Sequence, residues 1–320
     1  MEEKMNDQEL ARFNKLEKYR ELGVDPFGSR YEWKDKIADI RKAYGEMSDE
    51  ELQSAQIPVN VAGRLMAIRS MGKASFVNIR DDSGAMQAWL GLNVCGADNY
   101  AIFKLADTGD VVGLEGTLMK SRTGELTVRV GKFTHISKCL KPLPEKFHGL
   151  TDTEERYRKR YLDMIINPES RAIAVKRSKI VSDIRRYCDS LGFLEVETPI
   201  LSPIAGVAAA RPFITHHNTL DKDFYLRIAT ELNLKKAMIG GIDRVYEIGR
   251  IFRNEGIDTR HNPEFTTIEL YQAYGDLRSM KDWVIGLFKH ICENVHGSSI
   301  VQWGDITIDF SKPWKDISMA

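Results

Sequence analysis

Between Val59 and Ile136 five short runs follow one another: VNVAGRLMAIRS, ASFVNIRDD, AMQAWLGL, VVGLEGTLMKS and ELTVRVGKFTHI. Each is rich in β-branched and aromatic residues, and SG, TG and DTGD turn signals punctuate the series. A helical stretch, Asp98 to Ala106, precedes the fourth run. Five strands with a helix before the fourth fit an OB-fold, a small closed barrel that binds oligonucleotides. Any small β-barrel would share the pattern.

The chain has 320 residues, enough for two domains. With 42% hydrophobic and 29% charged residues it can bury a core, and disorder is not indicated. Lysine plus arginine equals aspartate plus glutamate at 46 each, which argues against bulk electrostatic attraction to nucleic acid and leaves room for a local basic face. Cys95, Cys139, Cys188 and Cys292 form no CxxC pair and no metal-ligand spacing, as in a reduced, cytoplasmic protein. MEEKMNDQEL has no signal-peptide apolar region, and no run approaches the ~18 apolar residues of a membrane span.

Residues 7–22 carry Leu10, Phe13, Leu16, Tyr19 and Leu22 at helical spacing behind Asn6 or Asp7 as cap, and Ser48 with Glu51 is a capping-box pattern. CLKPLPEKFHGL reads as a linker. Beyond it, Ile180, Ile184, Tyr187 and Leu191 predict a long amphipathic helix stopped by Gly192. FLEVETPIL predicts a strand ending at Pro199, YLRIA a strand over 225–229, and Thr230 to Ile239 a helix. RVYEIGRIFRNE and EFTTIELYQAY predict two further strands. Trp283, Leu287, Ile291 and Val295 mark a last helix before the hairpin-like QWGDITIDF. Adjacent hairpins with helices between some of them indicate α+β with a largely antiparallel sheet rather than regular βαβ alternation.

The loop between the paired strands, FRNEGIDTRHNPEFT, is crowded with charge. Side chains alternate along strands, so Glu247, Gly249, Ile251, Arg253 and Glu255 share one face, and Phe265, Thr267, Glu269 and Tyr271 share another. If the two faces coincide, one surface offers a guanidinium, a stacking ring, a phenol and several carboxylates. That set suits an anionic ligand carrying a flat ring and a cation. A hairpin with solvated charges is the plain alternative, and His261 by itself reads as incidental. There is no GxxxxGK[ST] and no usable GxGxxG.

FRNEG followed by TRHNPEFT resembles the second signature of class II aminoacyl-tRNA synthetases. The helix from Arg171 to Leu191 with FLEVETPIL resembles the first, whose closing proline, here Pro199, belongs to a homodimer interface. GVDPFG, MGKASF, LPEKFHGL, RYLDMIINPES, ARPFITHHNTLD and IELYQAY resemble lysyl-tRNA synthetases of bacterial type. This resemblance implies an ATP-dependent ligase that activates lysine to lysyl-adenylate and transfers it to tRNA(Lys), with ATP and Mg2+ required. It implies that Arg253 grips the α-phosphate, Glu255 lies near the adenine amino group, His261 faces the distal phosphates and Phe265 stacks on adenine. Glu231, Glu269 and Tyr271 match positions that hold lysine. In the barrel, Phe76, Gln87 and Glu125 match positions that read the anticodon, with Arg64 a nearby basic position; on pattern alone Phe76 reads as barrel interior.

The implied layout is a helical extension over 1–57, an OB-fold anticodon-binding domain over 58–141, a linker over 142–164 and a catalytic domain over 165–320. The family's third signature, with its closing arginine and the acidic magnesium ligands ahead of it, does not occur before WKDISMA. The catalytic domain is therefore expected to be C-terminally incomplete, and a tRNA-binding or dimerising fragment with impaired catalysis is the alternative expectation. In IAGVAAARPF, Val207 stands where the family shows a second glycine, which predicts a narrowed amino-acid pocket.

Overall fold

The computed structural model describes residues 5–28, 30–144, 150–206, 209–258 and 260–318. The chain forms two compact units, Met1–Asn167 and Pro168–Ala320.

In the first unit, helices α1 (Asp7–Glu21), α2 (Ile37–Tyr44) and α3 (Asp49–Ala55) precede the barrel. Reciprocal capping boxes start two of them, Asn6 with Glu9 on α1 and Ser48 with Glu51 on α3. The barrel strands are β1 (Pro58–Met71), β2 (Ala74–Arg80), β3 (Ala85–Gly91), β4 (Val111–Lys120) and β5 (Leu126–Ser137), with α4 (Leu92–Lys104) between β3 and β4. They close in the order β1-β2-β3-β5-β4, with β3 and β5 parallel and the other pairs antiparallel. Helix α4 starts earlier than the pattern suggested, directly at the end of β3. Short helices α5 (Thr153–Arg158) and α6 (Arg160–Ile166) complete the unit inside the stretch expected to be a linker.

Alternation puts Val77, Ile79, Met86, Ala88 and Leu90 into the barrel, and Ile37, Ile40 and Leu52 join the same core. The helical extension is thus part of the barrel's own packing. Helix α1 is held by charge as well: Arg12 donates to the carbonyls of Thr108 (3.0 Å) and Cys139 (2.9 Å), and Lys15 reaches Asp107 at 2.6 Å. Behind them the fully buried Lys138 ammonium lies 2.8 Å from the equally buried Asp110 and also binds Asp107. Tyr19 stacks on His135 with ring centroids 4.1 Å apart.

The second unit begins with α7 (Pro168–Ser190) and continues through β6 (Leu194–Glu195), β7 (Leu201–Ser202), β8 (Ile214–His217), β9 (Lys222–Leu226), α8 (Glu231–Ile239), β10 (Arg244–Phe252), β11 (Glu264–Gln272), α9 (Leu277–Ile291), β12 (Ile300–Trp303) and β13 (Ile306–Asp309). Three sheets result, ordered β11-β10-β6, β7-β9-β8 and β12-β13. Tyr246, Ile248, Ile268 and Leu270 on one face of β10–β11 pack with Cys188, Phe193, Trp283 and Leu287, so the amphipathic stripes of α7 and α9 cover that face. The opposite face is left for the site.

Three expectations need correction. FLEVETPIL is not one strand to Pro199: it pairs with β10 only at Leu194–Glu195, in parallel, and its last residue Leu201 pairs separately with Leu226 of β9, because between them Thr198 turns its carbonyl and hydroxyl to Arg227 and Pro199 has no N–H to give. YLRIA is displaced. Its strand ends at Leu226, after which the Arg227 N–H donates to the Ile200 carbonyl. The last helix is α-helical only to Ile291, and Val295 lies in a π-helical turn, Cys292–His296. Val207 lies outside the described residues.

Candidate functional site

The register of β10 and β11 decides whether the two charged faces coincide. Val245 faces Tyr271, Glu247 faces Glu269, Gly249 faces Thr267 and Ile251 faces Phe265. Directly opposed residues in an antiparallel pair point the same way, so the two sequence-predicted faces are one surface. Arg253 continues it: its N–H donates to the Pro263 carbonyl at 2.8 Å, and its guanidinium carbon lies 5.4 Å from the Phe265 ring centre. The Arg253 Nε is buried and has no hydrogen-bond partner among the described residues. An orphaned buried N–H on a cation is costly to leave unmade, and an anion is the partner it lacks.

At the other end, Tyr271, Glu269 and Glu231 come together. Burial and the carboxylates of Glu231 and Glu269 push the Tyr271 phenol up to about 12. Its hydroxyl therefore stays protonated at neutral pH, available to donate and accept. The N-terminus of α8 fixes the group: the Thr230 N–H donates to Glu269 Oε1 at 3.3 Å, and Glu231 is the first residue of the helix. Lys235, one turn on, lies 2.6 Å from Glu231 and 5.7 Å from the centre of the Tyr271 ring. A lysine ammonium is thus already at home beside these residues.

Glu255 and His261 are less closely drawn in. Glu255 is exposed, with no ion-pair partner among the described residues. His261 is exposed too, and its Nδ1 lies 2.7 Å from Asp258, whose carboxylate also accepts from the backbone N–H groups of Arg260 and His261. These bonds hold the Asp258 carboxyl below the usual range. The sequence reading passed over Asp258; Asp followed at two and three residues by donors is an Asx-turn signal and would have found it.

One further residue, Arg227, was missed. Arg227 is buried beside the site, donating to the Thr198 carbonyl (3.0 Å), the Thr198 hydroxyl (3.1 Å), the Arg250 carbonyl (2.8 Å) and the Glu247 carboxylate. The one sign in the sequence is a charge inside the apolar run YLRIA. Its partner Glu247 is buried on the shared face of β10.

The barrel carries the second site. Phe76 is half-buried between Ser75 and Val77, which point inward, so it belongs to the outer face of β2 and not to the core. Arg69 and Trp89 oppose it on β1 and β3. Together with Gln87, Arg122 and Thr123 they line a cavity of about 520 Å3. Gln87 Oε1 accepts from Thr127 Oγ1 at 3.0 Å. Glu125 sits at the foot of the Ser121–Glu125 turn, exposed and 3.5 Å from Arg41. Arg64 is not brought here. It pairs with Arg80, about 13 Å along β2 from Phe76, and donates to the Gly109 carbonyl at 2.6 Å. The basic neighbour of Phe76 is Arg69, and the two-residue turn Gly72–Lys73 implies that pairing.

Comparison with known proteins gives two family matches. The family described as tRNA synthetases class II (D, K and N) matches residues 152–320. The chain belongs to that family. An OB-fold nucleic acid binding domain matches residues 59–136. Lysine–tRNA ligases from Bacillus thuringiensis (strain Al Hakam) and Bacillus anthracis are each 50% identical to the chain over 318 residues, 99% of its length. The chain spans 64% of the length of these relatives. Among the described residues, no helix is long and apolar enough to cross a membrane, and no three His, Cys, Asp or Glu side chains converge as a metal site.

Proposed function

We propose that the chain acts in lysine–tRNA ligation: ATP and lysine bind on the β10–β11 face, lysyl-adenylate forms there, and the barrel cavity takes the anticodon of tRNA(Lys). The observation that carries the reading is the guanidinium of Arg253 beside Phe265 on the same face as Glu269 and Tyr271. Adenine stacks on Phe265, and the α-phosphate fills the unmet donor of Arg253. His261, steadied by Asp258, faces the distal phosphates, and Glu255 faces the adenine amino group. Glu231, Glu269 and Tyr271 receive the lysine. One carboxylate–ammonium attraction at about 4 Å and an effective dielectric near 20 is worth about 4 kcal/mol before desolvation, enough to favour lysine over a neutral side chain of similar length.

The chain's own contribution to the reaction is positioning and charge. The lysine carboxylate attacks the α-phosphorus, pyrophosphate leaves, and the terminal adenosine of the tRNA takes the lysyl group as an ester. Neither step needs a covalent bond to the enzyme. Magnesium supplies charge neutralisation on the ATP phosphates when bound. A homodimer fits the exposed Pro199, flanked by the exposed Leu194, Ile200 and Leu201. The matching compartment is the cytoplasm.

ATP–pyrophosphate exchange with lysine, run beside tRNA(Lys) binding, tests the reading. Lysine-dependent exchange is the expected result. Retained tRNA binding without exchange would make the chain a binding fragment. For the barrel, Phe76→Ala is expected to weaken tRNA(Lys) binding by about 5- to 160-fold, the worth of one stacked base. Because Phe76 is on the outer face, its melting transition should stay within about a degree or two of wild type; an unfolded barrel would return Phe76 to the core.

A further inference from the structure

The β10–β11 ladder lays the site out in steps of about 7 Å, two residues at a time. Phe265 is one step, Thr267 with Gly249 the next, Glu269 with Glu247 the third. If adenine lies at Phe265 and the lysine amine at Glu269 and Tyr271, which is the reading proposed above and the one this inference rests on, the amino acid's carboxylate falls at the middle step.

That step has an unusual occupant. Gly249 has no side chain, and the position its Cβ would take lies 2.2 Å from Arg227 Nη2, so the guanidinium fills the space glycine leaves. The Arg227 side chain is 6% exposed. Its Nε and Nη1 are committed to Arg250, Thr198 and Glu247, whereas Nη2 has no hydrogen-bond partner among the described residues. Across the ladder, Thr267 Oγ1 is buried and also has none. Buried donors are nearly always satisfied. Thr267 Oγ1 is thus a buried donor without an acceptor, and beside it the Arg227 Nη2 edge lies over Gly249 with no protein acceptor of its own among the described residues; together they define the place of one. An anionic, two-oxygen acceptor suits a guanidinium edge and a hydroxyl together. Glu247, by holding Nη1, fixes which edge is presented.

We infer that Arg227, seated in the space left by Gly249, and Thr267 opposite it form a second grip on the amino acid's carboxylate, separate from Arg253 and placed where the carboxylate must be aimed at the α-phosphorus.

The test uses the chain as it exists and titrates lysine, lysinamide and ATP by calorimetry. Lysinamide keeps the ammonium groups and removes the carboxylate charge. Thr267→Val keeps the side-chain shape and removes the hydroxyl; Gly249→Ala drives a methyl into Nη2. Lysine affinity is expected to fall about tenfold in each variant, the usual loss for a hydrogen bond to a charged group. Lysinamide and ATP affinities should move less than about twofold, since neither uses this grip. Equal losses for lysine and lysinamide, or no loss of lysine affinity in the shape-conserving Thr267→Val, would overturn the inference while leaving the lysine site intact. Wild-type protein that binds ATP but neither lysine nor lysinamide would overturn the lysine reading itself.

Discussion

Replacing Arg253 with alanine is expected to lower lysine-dependent ATP–pyrophosphate exchange by about 10²–10³-fold, the loss typical of one preorganised donor aimed at developing charge. The expectation follows from position and from an unmet bond. The guanidinium is on the face that carries Phe265, and its Nε is buried without a partner among the described residues. Its removal therefore takes away a group that, among the described residues, makes only the contact with the Phe265 ring and leaves its Nε unbonded, so stability should change little. Arg253→Lys should recover little, because an ammonium cannot supply two parallel N–H bonds to a phosphate. Exchange at the wild-type rate in the alanine variant would remove Arg253 from the chemistry.

The largest effect on stability is expected in the barrel unit. Lys138→Met should destabilise it by about 3–5 kcal/mol, since the buried Asp110 would lose its counter-ion. Replacing both members with apolar residues should cost far less. The same cluster gives the unit an acid limit. Burial raises the Asp107 carboxyl, but hydrogen bonds and charge from Lys138 and Lys15 outweigh it and hold the group below its ordinary value. A carboxyl depressed in the folded state contributes stability above its unfolded value, near 3.9, and that contribution is lost as pH falls further. Denaturant melts of the barrel unit should show a midpoint that drops below about pH 4, and this slope should flatten in Lys138→Met. An unchanged acid slope in the variant would show that other carboxylates set the limit.

Some of the site was legible because its rule is local. Alternation assigned Phe265, Thr267, Glu269 and Tyr271 to one face before any register was known, since a strand's period depends on the backbone alone. The capping box at Ser48 was legible for the same reason, donor and acceptor being three residues apart, and the structure adds a second box where Asn6 or Asp7 was expected as a cap. Strand ends were read less well. FLEVETPIL has the composition of one strand but changes partner along its length, from β10 at Leu194–Glu195 to β9 at Leu201, and pairing is decided by what lies alongside. Likeness of sequence pointed to Arg64 as a nearby basic position, whereas the turn at Gly72–Lys73 sets Arg69 opposite Phe76.

The sequence by itself determined the strand and helix periods, the five-stranded barrel pattern and the residue types gathered at the β10–β11 hairpin, because each follows from spacing along one segment. Only the tertiary structure decided that the two hairpin faces coincide, that Phe76 points out of the barrel, and that Arg227 lies over Gly249 from a segment some twenty residues earlier. Those depend on which segments pack together, and packing is settled by shape and buried charge across the whole unit rather than by any local period.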